Sequence, residues 1–108
     1  MTPIAPTYAE AMKSARALKA HLLKQGIPVE KVFLFGSTVT GNTHAWSDID
    51  VAIIHRPFHA SHFEERTAIR RARRTIDLRL ETICFRPEDV ERETFALAQE
   101  VLKHGILV

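Results

Sequence analysis

With 108 residues, 45% of them hydrophobic and 26% charged, the chain can fill one hydrophobic core and not two, so a single domain over 1–108 is expected. A net charge of only +2 argues against extensive nucleic-acid binding, and a lone cysteine, Cys84, excludes an internal disulfide and suits a reducing compartment. The opening residues MTPIAPTYAE carry no basic segment followed by an apolar run, and no apolar stretch approaches the ~20 residues of a membrane span, so a cytoplasmic protein without membrane contact is expected.

In chain order, the first element is a helix. Thr7 and Glu10 have capping-box spacing, and Ala11, Ala15, Leu18 and Leu22 follow on one apolar face. Gly26 ends the helix and Pro28 keeps it from resuming. Val32–Phe35 is a short apolar run that reads as a buried strand. The small polar residues 36–47 suit a tight turn, a short helix and a loop. Ile49–Ile54 reads as a second strand, ended by Pro57, and residues 60–74 as a helix with a thin apolar side of Phe63, Ile69 and Ala72. Ile76–Phe85 reads as one long strand, with Ile76, Leu78 and Leu80 on one side and Asp77, Arg79 and Glu81 on the other. The last helix starts at Pro87, has Glu88 and Asp89 in its first turn and Lys103 and His104 in its last, and closes at Gly105. Val90, Thr94, Leu97 and Val101 form its inner face. The order α-β-α-β-α-β-α gives an α/β fold, a small mixed sheet backed by helices.

The strongest chemical signal is Phe35-Gly36-Ser37, ten residues, then Asp48-Ile49-Asp50 at a strand start. Two positions apart on a strand, Asp48 and Asp50 share a face, ~6.6 Å apart along the chain. Two bare carboxylates at ~5 Å repel by roughly 3 kcal/mol at an effective dielectric of 20, which a fold seldom bears without a cation. Oxygen donors without His or Cys at ligand spacing favour Mg²⁺ or Mn²⁺ over zinc. Gly36 lets the backbone turn sharply beside a ligand, the short helix after it aims free N–H groups at an anion, and the Ser37 hydroxyl adds a donor. A phosphate cradle beside paired carboxylates is what phosphoryl or nucleotidyl transfer requires.

At these residues, GS-TVTGNTHAWS-DID, the chain resembles the minimal nucleotidyltransferases (MNT) of the DNA polymerase beta superfamily. The resemblance covers nearly the whole chain, from the helix before LFGS to the closing KHGILV. It implies a polymerase-beta-like nucleotidyltransferase fold, two metal ions on three carboxylates, an NTP substrate and transfer of a nucleotide with loss of pyrophosphate. Asp48 and Asp50 match the first two carboxylates, Asp77 is the best match for the third, and Gly36 and Ser37 match the triphosphate-contacting turn. The chain departs from the family where Arg often follows Gly-Ser: here stand Thr38, Val39 and Thr40. Little chain remains for an acceptor domain, which favours a protein acceptor. Proteins of this size resemble the antitoxins of HEPN–MNT toxin–antitoxin pairs, which implies ATP as donor, AMP as the transferred group and a HEPN-type toxin as partner. The rivals are a non-catalytic binding antitoxin of the same fold and an enzyme acting on a small molecule or an RNA end.

Other residues carry weaker signals. Arg66, Arg70, Arg73 and Arg74 share one helical face, either simply solvated or a patch for an acidic partner or phosphates. Trp46 packs locally or stacks on a base, His44 is an exposed loop residue or a proton carrier, and Glu81 shares the Asp77 face as a second candidate. Cys84 reads as a core residue.

Overall fold

The structure, a computed structural model, describes residues 5–43, 48–91 and 96–108. Helix α1 (Tyr8–Lys24) begins as its sequence demands, the Thr7 hydroxyl accepting the Glu10 backbone N–H at 3.1 Å. Its Ala11, Ala15, Leu18 and Leu22 are fully buried. Strand β1 (Val29–Phe35) leads through Gly36 into the single-turn helix α2 (Ser37–Thr40), and β2 (Ile49–His55) follows. Helix α3 (His62–Arg73) and strand β3 (Leu80–Phe85) come next, then α4 (Pro87–Glu91), α5 (Ala96–His104) and a two-residue strand β4 (Ile106–Leu107).

The strands form one mixed sheet in the order β3-β2-β1-β4, with β1 antiparallel to β2 and β4 and β3 parallel to β2. Strand alternation sorts the side chains into two layers. Val32, Leu34, Ile49, Val51, Ile53 and Leu80 point toward α1 and α3, where they meet Leu18, Leu22 and Ile69. Ala52, Ile54 and Phe85 point the other way and are roofed by Ala98 and Val101 of α5, with Phe33, Phe35, Ile83 and Val90 around them. The expected α/β fold, a small mixed sheet backed by helices, is observed, with helices packed on both faces of the sheet.

Boundaries and phases differ in places. Strand β1 starts three residues earlier than expected, through an irregularity between Val29 and Lys31. Phe63 lies 70% exposed; the buried positions of α3 are Glu65, Ile69 and Ala72. In α5 the inner face is Ala98 and Val101, with Leu97 turned outward, and Thr94 lies outside the described residues. Strand β3 begins only at Leu80. The side chain of Asp77 accepts the backbone N–H of Arg79 at 2.9 Å and its carbonyl accepts Leu80 N–H at 3.1 Å, so residues 77–80 form a turn and Leu78 is thrown into solvent.

One buried charge fastens the layers. Glu65 accepts the backbone N–H groups of Phe58 (2.6 Å) and His59 (3.2 Å) and the Arg86 Nε–H (2.8 Å), joining α3 to the loop after β2 and to the end of β3. Among the described residues, no helix is long and apolar enough to cross a membrane.

Candidate active site

Strand register assembles the site. Phe35 of β1 pairs with Asp50 of β2, and Asp50 pairs with Glu81 of β3, so the three stand in one row across the sheet. Paired residues on neighbouring strands share a face. That face is the one that carries Ala52, Ile54 and Phe85 under α5. Asp48 stands one residue before β2 and is exposed, as is Glu81, while Asp50 is half-buried. Burial, then the charges of Asp48 and Glu81, hold the Asp50 carboxyl above its usual range. Among the described residues none of these three carboxylates forms an ion pair with a basic side chain.

Gly36 connects this row to the following turn. Its φ of 76° is a conformation that side chains resist, and a Cβ there would collide with the Asp50 carboxylate. The end of β1 therefore lies against Asp50 because residue 36 is glycine. The Gly36 carbonyl accepts the N–H groups of Val39 and Thr40, both at 3.1 Å, which closes α2. No side chain caps the N-terminus of that turn. Ser37 is half-buried at its start, and Thr38 is buried, its hydroxyl without a hydrogen-bond partner among the described residues.

Asp77 stands apart from this row. It lies in the turn before β3, where Oδ1 accepts Arg79 N–H and Nε–H (2.9 and 3.1 Å) and Oδ2 accepts Arg79 Nη2 and the Ser14 hydroxyl (3.0 and 2.7 Å). Burial pushes its carboxyl up, but these hydrogen bonds prevail and hold it at about 2. Arg79 also reaches Glu10, so the cluster clamps the entry of β3 to α1. The expectation that Asp77 and Glu81 share one face of an unbroken strand is thus corrected, and only Glu81 reaches Asp50. Sequence reading reached Glu81 as second choice; Arg79 two residues after Asp77, a ready partner for it, was the signal that Asp77 is spoken for.

The gathered groups are hard oxygen donors at a backbone turn. Among the described residues no three acidic, His or Cys side chains converge tightly enough to enclose a metal alone. The set suits a hard divalent cation that keeps water and phosphate oxygens in its shell. The like charges gathered around Asp50, whose carboxylate lies against the Gly36 backbone, fit such an ion. His44 and Trp46 lie outside the described residues. Of the expected arginine face, Arg66 and Arg70 are exposed on α3, Arg73 is half-buried at its end and Arg74 is exposed just beyond it.

The fold and this row of carboxylates define a nucleotide-transfer domain in outline. The chain belongs to the nucleotidyltransferase domain family, whose model matches residues 15–107. Two solved structures share its fold. One is a candidate nucleotidyltransferase from Sulfolobus solfataricus (TM-score 0.65, 19% identity, covering 93% of this chain and 80% of that one). The other is a toxin–antitoxin structure with AMP-PNP (TM-score 0.59, 22% identity, 84% of this chain and 69% of that one). No curated protein matches the sequence.

Proposed function

We propose that this nucleotidyltransferase moves AMP from ATP to a hydroxyl of a partner protein, as the antitoxin of a HEPN–MNT pair whose toxin is the partner. The transfer reading rests on one observation: Asp50 and Glu81 are register partners, with Gly36 laid against the Asp50 carboxylate. We assign Asp48 and Asp50 to hold divalent ions, Mg²⁺ or Mn²⁺, and Glu81, in place of Asp77, to be the third carboxylate. When bound, such ions would neutralise the triphosphate and make the acceptor hydroxyl more acidic. The chain's own groups do the rest. Gly36 lets the Asp50 carboxylate lie against the turn, Ser37 donates its hydroxyl hydrogen to a phosphate oxygen, and Asp50 fixes the depth of the site from its half-buried position. Glu81, exposed at the sheet's outer strand, stands where an acceptor hydroxyl arrives and can take up its proton. The hydroxyl oxygen bonds to the α-phosphorus as the bond to pyrophosphate breaks.

Support for a macromolecular acceptor is the openness of the site: β3 is an edge strand and Glu81 is exposed, so no enclosed pocket must form. Support for the toxin partner is the shared fold with a toxin–antitoxin structure that carries AMP-PNP. The test is transfer of label from α-labelled ATP. Transfer is expected with Mg²⁺ and lost in EDTA. Glu81→Gln should lower it by about 10²-fold or more, while Asp77→Asn keeps most of it. A dead, folded Asp77→Asn beside an active Glu81→Gln would return the third position to Asp77. Thr38 and Thr40, where relatives often carry Arg, favour a second reading as a non-catalytic binding antitoxin; a chain that binds its toxin but transfers no label would establish it.

A further inference from the structure

Strand β3 is an outer strand of the sheet, and α3 runs along it in the opposite direction. His62 at the start of α3 meets Asp89 of α4 at 3.4 Å, and Arg73 at its end donates to the Leu78 carbonyl at 3.4 Å. At the start of α3, beside β3, opens a cleft of about 520 Å³ whose floor includes Thr82, Ile83 and Cys84 and whose wall includes His62, Arg66 and Asp89. Arg70 follows Arg66 one turn later on α3, and the charges of both oppose the burial that pushes the Cys84 thiol up to about 12. Both guanidinium groups are exposed, and among the described residues neither has an acidic partner.

The spacing of these two arginines matches one kind of occupant. Four residues of helix advance ~6 Å, and two residues of strand advance ~6.6 Å. Arg66 and Arg70 therefore keep step with alternate residues of a strand laid beside β3. Such a strand would extend the row Phe35–Asp50–Glu81 by one position. Its residue opposite Glu81 would face the carboxylates, while its neighbours on either side would face the α3 layer and the arginines.

We propose that the α3–β3 cleft binds the acceptor as an added strand, and that this strand carries acidic residues on both sides of the hydroxyl residue it presents beside Glu81. This rests on the protein-acceptor reading and specifies the sequence that reading requires. Backbone pairing along β3 supplies affinity, and the arginines supply selection. A nucleic-acid occupant is the weaker match: the floor is a sheet edge with Ile83, and the whole chain carries a net charge of only +2.

The test uses short peptides with a central tyrosine flanked on both sides by Glu, or by Lys, and the full chain without nucleotide. Binding is read by fluorescence anisotropy, and labelling with ATP and Mg²⁺ is measured separately. The glutamate peptide should bind roughly tenfold tighter than the lysine peptide. Arg66→Glu with Arg70→Glu should invert that preference, an outcome that misfolding cannot imitate. Methylating the peptide's backbone nitrogens on one alternate set should abolish binding, and on the other set should leave it. Equal affinities in both proteins would overturn the proposal. So would arginine-dependent binding of an oligoribonucleotide in place of the peptide, or a dimer of this chain that the double reversal dissolves. Selective binding with no labelling of tyrosine would uphold the cleft and sink the protein-acceptor reading. Labelling of both peptides alike would do the reverse.

Discussion

Glu65 and Asp50 are both acidic residues drawn out of full solvent contact, yet their surroundings are opposites. Glu65 receives an arginine and two backbone N–H groups, and although burial pushes its carboxyl up, those partners hold it at about 2. Asp50 is pushed the other way, first by its burial and then by the charges of Asp48 and Glu81, with no basic partner to offset them among the described residues. The first carboxylate is complete within the fold and ties three segments together. The second is left short of positive charge by the same fold, and repulsion that stabilises nothing points to a ligand that supplies it. Asp77 belongs with Glu65: its partners are all internal.

This contrast can be broken from either side. The largest effect is expected from Asp48→Asn with Asp50→Asn, which should cut labelled-nucleotide transfer by about 10²-fold or more while leaving the melting temperature without added metal unchanged or raised. A marked fall in that melting temperature would show the pair to be structural. Glu65→Ala should act in reverse. With Arg86 and two N–H groups stranded, calorimetry should record a loss of about 2 kcal/mol or more, and residual activity should track the folded fraction.

The smallest effect is in pH dependence. Glu65 and Asp77 each fall from ordinary values of 4.5 and 3.8 to about 2 in the fold. A depressed folded pKa gives stability that is complete above the unfolded value and drains away as pH falls toward 2. Asp50 runs the other way, its raised pKa meaning that protonation relieves strain. Acid unfolding should therefore steepen below about pH 4.5. Asp77→Asn should flatten the part below about 3.8. An unchanged denaturation profile in that variant would remove Asp77 from the stabilising set.

How much of this was legible in the sequence depends on how local each signal is. The cap at Thr7, the buried face of α1 and the runs that became β1 and β2 were readable because neighbouring residues settle them. So were Gly36 and Asp50 as partners, since motif and register agree. The entry to β3 was not: alternation from Ile76 to Leu80 imitates a strand, but Ile76 reaches the core from a turn, and Asp77 finds Arg79 and Ser14 before any strand forms. The choice between Asp77 and Glu81 depended on that turn and on pairing with β2, neither of which is visible in β3 alone. Strand β4 escaped notice because two residues carry no periodicity, and its place is set by β1, far away in sequence.

The contact at Gly36 makes two positions of the chain a single unit of variation. A methyl group at residue 36 is excluded by the Asp50 carboxylate as well as by backbone angle. The effects of Gly36→Ala and Asp50→Ala on folding should not add. Removing the carboxylate opens the space the methyl needs, so the double variant should be more stable than the sum of the singles by about 0.5–3 kcal/mol, the strain of the positive φ remaining in both. Epistasis of this kind orders drift: while the Asp50 carboxylate stays, residue 36 stays glycine, and another residue can enter there only after Asp50 has gone.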